Sequence, residues 1–245
     1  AYRPESLIKT PFTYCPGCLH GVAHRLIAEA IEEQGLINQM TGVAPVGCSV
    51  FAYKFFNFDM AQAAHGRAPA VATGIKRSRP EMNVFTYQGD GDLAAIGTAE
   101  IIHAANRGEH ISVFFVNNAI YGMTGGQMAP TTLPEMKTTT SPYGRKTDDI
   151  GFPIRVCELL ATLVAPYYIE RVSLLSPAEI IKAKKAVSKA IQYNKEGRGF
   201  TFVEFISTCP TNWGIDPVKS RDWARENMLP FFKPGCLRDK GEGVE

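Results

Sequence analysis

Side chains that suit a hard metal ion stand at two places in this chain, each shortly after an apolar segment. Asp90 lies in the sequence Gly-Asp-Gly-Asp at 89–92, and Asn118 is the second residue of an Asn-Asn pair. Their carboxylate and amide oxygens, with a backbone carbonyl near Ile120, are ligand types that Mg²⁺ prefers. The glycines beside Asp90 let backbone N–H groups approach an anion. These residues predict a Mg²⁺ ion that connects the protein to a phosphate group.

The sequence between these two places predicts a strand–loop–helix–strand unit. The β-rich runs 84–87 and 111–116 are the strands, and a helix rich in small residues is expected over about 93–106. Parallel strands end side by side at the edge of a sheet where open α/β folds bind ligands. A Gly-Asp-Gly tripeptide alone also occurs in ordinary turns. A strand before each polar pair favours a binding site over a simple turn.

A Cys-Pro-Gly-Cys sequence supplies Cys15 and Cys18 just before a helix expected at about 19–34. Taken alone, this pair fits half of a zinc site, a thioredoxin-like dithiol or two ligands of an iron–sulfur cluster. The chain has six cysteines, too few for a disulfide scaffold at its length of 245 residues. An iron–sulfur cluster would need two further thiolates.

The other four cysteines differ in their local context. Cys48 and Cys209 each follow an apolar run that is expected to be a strand, so both should lie at the edge that carries Asp90. Cys157 falls on the apolar stripe of a helix expected at 153–164 and is interpreted as a core residue. Cys236 lies in the C-terminal tail with no predicted strand. Position therefore favours Cys15 and Cys18 together with Cys48 and Cys209 as cluster ligands.

A His-Gly-Arg sequence, His65 to Arg67, precedes a helix expected to run to about Arg79. A single histidine is more often structural than catalytic. A glycine, a cationic arginine and a helix start together suit a contact with a diphosphate, which favours a functional role.

The rest of the chain predicts scaffold and surface. The loop 121–149 is rich in glycine, proline and threonine and is expected to be a functional lid or a partner surface, with 121–124 near the diphosphate. The aromatic run 51–58 is expected in the core, or alternatively as a wall around the substrate or the cluster. Lysines at 182–189 are expected on the solvated face of a helix, or alternatively as a docking patch for an acidic electron carrier. The tail aromatics Trp213, Trp223, Phe231 and Phe232 are expected to cover a partner subunit.

Composition limits the classes of function. The net charge of +2 gives no reason to expect a nucleic acid or a membrane surface as partner. The sequence contains no apolar run near the ~18 residues that a membrane span needs, and no apolar segment follows Ala1. We therefore expect a cytoplasmic protein with a single α/β domain over 1–245, a mainly parallel open sheet with helices on both faces, and a tail from about 210.

The Gly-Asp-Gly and Asn-Asn sequences together resemble the motif that binds thiamine diphosphate and Mg²⁺. In their extended forms, 89–97 and 117–132, they resemble the β subunit of 2-oxoacid:ferredoxin oxidoreductases, most of all the branched-chain, 2-ketoisovalerate-type members. The resemblance continues through the His-Gly-Arg sequence, the Cys-Pro-Gly-Cys sequence and Cys-Pro-Thr-Asn-Trp-Gly at 209–214. It therefore covers most of the chain.

This resemblance implies a thiamine-diphosphate-binding fold, and thiamine diphosphate, Mg²⁺ and a [4Fe–4S] cluster as cofactors. It supports Cys15, Cys18, Cys48 and Cys209 as cluster ligands, and Asp90, Asn118 and Ile120 as Mg²⁺ ligands. His65 and Arg67 are the catalytic candidates. The expected cofactor contacts are Gly47, Cys48, Ser49, His65, Gly66, Arg67, Gly89, Asp90, Gly91, Asp92, Asn118, Ile120, Tyr121, Gly122, Met123 and Thr124.

The implied reaction converts a 2-oxoacid, coenzyme A and oxidised ferredoxin to acyl-CoA, CO₂ and reduced ferredoxin. Implied partners are an α subunit, a γ subunit and a ferredoxin-like δ subunit. The catalytic glutamate of such complexes comes from the α subunit, so this chain alone should be inactive. The alternatives are a 2-oxoglutarate-type subunit, a non-redox thiamine decarboxylase and an electron-transfer subunit without catalysis. The apolar residues Val50 and Phe51 follow Cys48-Ser49. Many relatives that act on small or acidic oxoacids have a basic residue there, so the apolar residues favour a branched-chain substrate.

Overall fold

The apolar runs of the chain pair into one seven-stranded sheet in a computed structural model that describes residues 2–244. The strands are β1 Met40–Ala44, β2 Asp59–Gln62, β3 Asn83–Gly89, β4 Ser112–Asn117, β5 Tyr168–Ser173, β6 Thr201–Ile206 and β7 Gly235–Asp239. Their order across the sheet is β2-β1-β3-β4-β6-β5-β7, and every neighbouring pair is parallel except β5 and β7. The predicted mainly parallel α/β sheet is confirmed.

Helices cover both faces of this sheet, as predicted. They are α1 His20–Glu33, α2 Ala68–Ser78, α3 Thr98–Asn106, α4 Thr147–Ile150, α5 Val156–Ala161, α6 Pro177–Lys195, α7 Pro210–Trp213 and α8 Lys219–Asn227. Side chains alternate along a strand, so Phe85 and Tyr87 of β3 pack with α1 and α6, whereas Val84 packs with α2 and α3 on the opposite face. Two short 3₁₀ segments, Ile37–Gln39 and Cys48–Lys54, complete the helical part.

The helix predicted over about 93–106 is interrupted in the structure. A π-helical turn, Asp92–Ile96, comes first, and α3 starts only after Gly97. The N–H of Gly97 donates to the carbonyl of Asp92, five residues back, at 2.8 Å. A β-carbon at Gly97 would lie 2.7 Å from the carbonyl oxygen of Gly66, so the two backbones pass in close contact. Such π turns are frequent at functional sites.

Strands β2 and β7 were not predicted, because neither lies in a part of the sequence with a clear strand pattern. The aromatic run 51–58 ends just before β2, and its Phe55 and Phe56 are buried, which confirms the core interpretation for those two rings. The tail after 210 contributes α7, α8 and the antiparallel edge strand β7. Cys236 therefore does lie on a strand, and Phe232 is buried against this chain's own core rather than facing a partner.

The loop 121–149 is packed rather than open. Its Thr131 and Thr132 are fully buried. Arg145 donates hydrogen bonds to several backbone carbonyl oxygens, among them those of Thr132 and Gly151. The part of the loop around Arg145 is thus packed by its own hydrogen bonds, and the role of the loop as a functional lid or a partner surface stays a prediction.

Two of the α6 lysines in the range 182–189, Lys184 and Lys189, form ion pairs within the chain. Lys184 pairs with Glu29 and Glu33 of α1, and Lys189 pairs with Asp239 and Glu242. Their charges are compensated within the chain, which weakens the alternative of a docking patch for an acidic carrier. Within residues 2–244, the helices are all too short or too polar to cross a lipid bilayer.

Candidate functional site

Four adjacent strands bring the predicted site residues to one edge of the sheet. Gly89, at the end of β3, is in register with Val116 of β4, and Asn117, at the end of β4, is in register with Ile206 of β6. Asp90, Asn118 and Cys209 therefore leave the sheet side by side, and Cys48 follows β1 on the other side of β3. This arrangement agrees with the juxtaposition that the strand-end argument predicted.

A cavity opens at this edge and includes most of the predicted contacts. Its walls are His20, Val46, Gly47, Cys48, Ser49, His65, Gly89, Asp90, Gly91, Asp92, Asn118, Ile120, Tyr121, Gly122, Met123 and Thr124. Two predicted contacts, Gly66 and Arg67, do not line it. Two lining residues, His20 and Val46, were not predicted.

Asp90 is a buried carboxylate that has hydrogen-bond donors but no cationic partner. Thr131 donates its hydroxyl at 2.7 Å, and the N–H groups of Gly91 and Ile120 donate at 2.9 and 3.2 Å. Burial raises the pKa of Asp90 to about 6, although the Thr131 hydrogen bond opposes the shift. No lysine, arginine or histidine of residues 2–244 pairs with it. A bound cation would supply the missing positive charge.

The second half of the site is a tight turn at the end of β4. Ala119 is fully buried and has a positive φ of 59°, a conformation that costs free energy for a residue with a β-carbon. Asn117 stabilises the turn by accepting a hydrogen bond from the N–H of Ala119 at 3.1 Å. The Asn118 amide oxygen accepts one from Ile120 at 3.3 Å, and Trp213 donates its indole N–H to the Asn118 carbonyl. These bonds fix the Asn118 side chain beside Asp90.

A buried ionic network supports this turn from beneath. Asn117 donates its amide to Glu204 at 2.8 Å, and Arg171 donates to the other oxygen of Glu204 at 2.8 Å. Arg171 also forms a bidentate pair with Glu158, at 2.9 and 2.6 Å. The side chains of Arg171 and Glu204 are fully buried. Removing one partner of such a network leaves an uncompensated charge in the core.

Replacing Arg171 by methionine is expected to lower the free energy of unfolding by about 3–5 kcal/mol, because Glu204 then remains buried without its counter-charge. Chemical denaturation of the two proteins measures the difference. The matched control is Arg198→Met, since Arg198 is exposed, pairs with Glu196 and should contribute less than about 1 kcal/mol. Equal effects of the two substitutions would contradict the role given to the network.

His65 and Arg67 of the His-Gly-Arg sequence bind different acidic side chains. His65 donates from Nδ1 to Asp92, and the N–H of Gly66 donates to the same oxygen at 2.6 Å. Gln88 donates to the second Asp92 oxygen at 2.7 Å. Asp92 thus positions His65 at the cavity wall. Arg67 instead pairs with Glu100 of α3, and its side chain is half exposed. The position of Arg67 therefore does not match the expected diphosphate contact.

Tyr121 packs directly on the Gly-Asp-Gly loop. Its hydroxyl donates to the carbonyl of Gly91 at 2.9 Å. A β-carbon at Gly91 would lie 2.2 Å from the Tyr121 ring, so only glycine permits this contact. The contact connects the loop after β3 to the loop after β4.

Cys48 and Cys209 meet across Gly122. A β-carbon at Gly122 would lie 3.4 Å from the sulfur of Cys209 and 3.6 Å from that of Cys48, so both sulfurs adjoin this glycine. The Asn212 amide donates to the Cys209 sulfur at 3.2 Å and to the carbonyl of Gly122 at 2.8 Å.

The Cys-Pro-Gly-Cys turn is hydrogen-bonded to the end of β6. The N–H of Cys18 donates to the carbonyl of Cys15, and Thr208, at the end of β6, donates its hydroxyl to the carbonyl of Gly17 at 2.7 Å. Burial raises the pKa of Cys18 to about 12, and the neighbouring cysteines add to the shift. Burial likewise raises the pKa of Cys48 to about 11, with Cys209 adding to it. Positive charge from bound metal would be needed to keep these sulfurs as thiolates.

The remaining cysteines lie apart from this group. Cys157 is fully buried in α5, as predicted, and Cys236 is exposed on β7. Residues 2–244 contain no three histidine, cysteine or acidic side chains close enough together to bind a single metal ion.

Several functional contacts carried no local sequence signal. Thr131 reaches Asp90 from 41 positions along the chain, and Trp213 reaches Asn118 from 95. His20 follows the Cys-Pro-Gly-Cys turn at a distance of two residues, which could have drawn attention to it.

Comparison with known proteins defines the class of this site. Residues 45–205 match the family described as thiamine pyrophosphate enzyme, C-terminal TPP binding domain. This segment contains β2 to β5 and nearly all of β6, with both loops that carry Asp90 and Asn118. The fold and the strand-end cavity thus define a thiamine-pyrophosphate-binding domain.

Individual relatives narrow the class. A ketoisovalerate oxidoreductase subunit, VorA, of Methanothermobacter marburgensis is 51% identical over 232 residues, which are 95% of this chain and 48% of that protein. A 2-oxoglutarate synthase subunit, KorB, of Archaeoglobus fulgidus is 36% identical over 89% of this chain and 77% of the relative. The chain therefore belongs to the family of 2-oxoacid:ferredoxin oxidoreductase β subunits. It spans about half the length of the VorA relatives that it matches.

A solved structure agrees with this assignment. The 2-oxoglutarate:ferredoxin oxidoreductase from Magnetococcus marinus, with 2-oxoglutarate, coenzyme A and succinyl-CoA bound, superposes with a TM-score of 0.77 at 30% identity. The match covers 91% of this chain and 72% of that one.

Proposed function

We propose that this chain is the catalytic β subunit of a 2-oxoacid:ferredoxin oxidoreductase. In that reaction a 2-oxoacid, with a branched chain in our proposal, reacts with coenzyme A to give acyl-CoA and CO₂, and ferredoxin accepts the electrons. The observation that carries the proposal is the meeting, at adjacent strand ends, of Asp90 and Asn118 with Cys48 and Cys209. A thiamine enzyme without redox chemistry would not need the second pair.

The acidic part of the site fits a magnesium-bound diphosphate. Asp90 is a buried carboxylate without a cationic partner, and the Asn118 amide oxygen is fixed beside it. Mg²⁺ takes oxygen ligands and commonly connects one or two protein groups to phosphates. We assign Asp90, the Asn118 side chain and the Ile120 carbonyl as its protein ligands. The chemistry that thiamine diphosphate supplies when bound is a carbon nucleophile and an electron sink for decarboxylation.

The roles of the protein groups follow from their contacts. Asp90 binds the cation, and the strained turn at Ala119 orients Asn118 toward it. Gly91 leaves room for Tyr121, which closes one side of the cavity. His65, fixed by Asp92, presents its Nε2 side at the cavity wall, where it can bind an anionic group.

The cysteine part of the site fits an iron–sulfur cluster. Thiolates of four cysteines are the ligands of a [4Fe–4S] cluster, and such a cluster transfers single electrons. We assign Cys15, Cys18, Cys48 and Cys209. The raised pKa of the Cys18 thiol reflects proximity as well as burial, since the other three cysteines each contribute to that shift.

Other subunits are part of this proposal. Three apolar side chains at or beside the cavity are substantially exposed, namely Val46 at 44%, Met123 at 43% and Ile96 at 48%. Exposed apolar groups around a polar site are typical of a surface that a partner covers. We propose that the α subunit covers it and supplies the acidic group that acts on the cofactor, that γ and ferredoxin-like δ subunits complete the complex, and that this chain alone is inactive.

The proposed substrate preference follows from the charges around the cavity. No lysine or arginine within residues 2–244 lines it. Lys54 packs over the rings of Phe51 and Tyr53, at 5.2 and 5.8 Å from their centroids, and Arg67 pairs with Glu100. A buried carboxylate without a partner costs several kcal/mol. An apolar side chain gains about 0.8 kcal/mol per buried CH₂. Within residues 2–244, no lysine or arginine of the cavity wall would pair with the distal carboxylate of 2-oxoglutarate.

In the assembled complex, kcat/KM for 2-ketoisovalerate is expected to exceed that for 2-oxoglutarate by at least ~100-fold, or ~2.7 kcal/mol, because an unpaired buried carboxylate costs several kcal/mol. Steady-state kinetics with both oxoacids measure the ratio. A preference for 2-oxoglutarate would favour the second candidate function, to which the KorB relatives point.

The variant Val46→Arg tests the same charge argument from the opposite side. Val46 lines the cavity and is partly exposed, so an arginine fits there and supplies a cation. In Val46→Arg, the ratio of kcat/KM for 2-ketoisovalerate to kcat/KM for 2-oxoglutarate should fall. In Val164→Arg, at a residue that is 83% exposed and away from the cavity, this ratio should not change.

A further inference from the structure

His20 lies in the wall of the cofactor cavity, although no sequence motif pointed to it. It is the first residue of α1 and follows Cys18 by two positions. The residue is 3% exposed and lines the same cavity as Cys48 and Asp90. A polar ring in this position is close both to the proposed cluster and to the proposed metal site.

One ring nitrogen of His20 is fixed by a buried tyrosine. Nδ1 and the Tyr87 hydroxyl are 2.6 Å apart. Tyr87 is fully buried on β3 and precedes Asp90 by three residues. Within residues 2–244, the His20 ring has this one hydrogen bond, and Nε2 is therefore available to a group in the cavity.

Neighbouring aromatic rings pack on His20 and on one another. Tyr14 stacks on His20 at 4.8 Å with an interplanar angle of 17°, and its hydroxyl bonds to Nε2 of His24 at 2.7 Å. His24 in turn packs against Tyr87 at 4.5 Å. The four rings form a closed group, which we call the ring cluster. Because Tyr14 and His20 flank the Cys-Pro-Gly-Cys sequence, this group fixes the cysteine turn relative to β3.

Two proposed cluster ligands lie near His20: Cys48 lines the same cavity, and Cys18 precedes His20 by two residues in the chain. Burial raises the pKa of Tyr87 well above its usual value, and the nearby Cys18 and Cys48 add to that shift. The hydroxyl that holds His20 is thus within electrostatic range of two proposed cluster ligands. An imidazole whose Nδ1 accepts from tyrosine carries its proton on Nε2 and can donate to a sulfur atom.

We propose that His20 is a positioning residue of the iron–sulfur site, whose Nε2–H donates a hydrogen bond to a sulfur of the cluster or of Cys48 and thereby raises the reduction potential. The inference rests on the proposed function, because it requires the cluster. Hydrogen bonds to the sulfurs stabilise the more negative, reduced state, and they are one of the means by which proteins set cluster potentials.

Two substitutions of His20 test the roles of its two ring nitrogens separately. In His20→Asn the short amide reaches the Nδ1 position and can still bond to Tyr87, but nothing replaces Nε2–H. In His20→Gln the longer amide places a donor near the Nε2 position. The matched control is His110→Asn, at an exposed histidine away from the cavity. Tyr87→Phe keeps the His20 ring and removes the hydroxyl that fixes it.

The measurement is a redox titration of the anaerobically purified complex, followed by EPR of the cluster. We expect His20→Asn to reduce the ratio of reduced to oxidised cluster about tenfold at a fixed potential, which is about 59 mV for one electron. His20→Gln should stay near the wild-type value, Tyr87→Phe should shift in the same direction as His20→Asn, and His110→Asn should not shift. Iron content and the dissociation constant of thiamine diphosphate are measured for each protein.

An unchanged potential in both His20→Asn and Tyr87→Phe would overturn the inference, and so would an effect confined to thiamine diphosphate affinity. Should His20→Asn fail to assemble, Tyr87→Phe decides between the same outcomes. Wild-type protein that contains no iron would instead refute the proposed function, so the two failures are distinguishable.

Discussion

Asp90→Ala is expected to weaken Mg²⁺-dependent binding of thiamine diphosphate by at least ~100-fold, because it removes the charged ligand of the metal. The fold should persist, since burial already disfavours the ionised carboxylate and its removal eliminates that cost. Isothermal titration of the protein with thiamine diphosphate, with and without Mg²⁺, measures the loss.

Two further variants make this test specific. Asp90→Asn retains an acceptor for the Thr131 hydroxyl and removes only the charge, so it should also lose metal-dependent binding. Asp149→Ala, at an exposed acidic residue of α4, should bind as the wild type does. Unaltered cofactor content in a folded Asp90→Ala protein would contradict the assignment of Asp90.

Replacing either Cys48 or Cys209 by serine is expected to remove most of the iron and acid-labile sulfide or to change the EPR signal of the cluster. Both sulfurs adjoin Gly122 at the strand-end site, and a serine oxygen is a much poorer ligand for the iron of a cluster than a thiolate. Iron and sulfide analysis of anaerobically purified variants gives the result.

The other two cysteines are the controls for this prediction. Cys236 is exposed on the edge strand β7, and the Cys236→Ser protein should retain the iron content of the wild type. For the fully buried Cys157, alanine is the better substitution, because a serine hydroxyl in the core would itself cost stability. Iron that depended on Cys157 and not on Cys209 would refute the positional argument.

The sequence predicted those features that depend on local pattern. Apolar runs of strand length, each followed by polar residues, were sufficient to predict that Asp90 and Asn118 meet, because parallel strands end together. The same reasoning selected Cys48 and Cys209. Buried Cys157 followed from the helical periodicity around it.

Features that depend on distant contacts could not be predicted in this way. The partner of Arg67 is Glu100, and a cationic side chain gives no local sign of which acid it will choose. The π turn before α3 lies where Gly97 passes close to Gly66, a residue far from it in sequence. The ring cluster depends on a hydrogen bond between residues 67 positions apart. In each case the three-dimensional packing supplied the information.

Native mass spectrometry of the anaerobically purified complex, with this chain released by mild dissociation, tests the central claim in one measurement. We expect the chain to carry one [4Fe–4S] cluster and one Mg²⁺–thiamine diphosphate together. A chain with thiamine diphosphate and no cluster would be a non-redox thiamine enzyme, and a chain with a cluster and no thiamine diphosphate would be an electron-transfer subunit. Either result would contradict the proposed function.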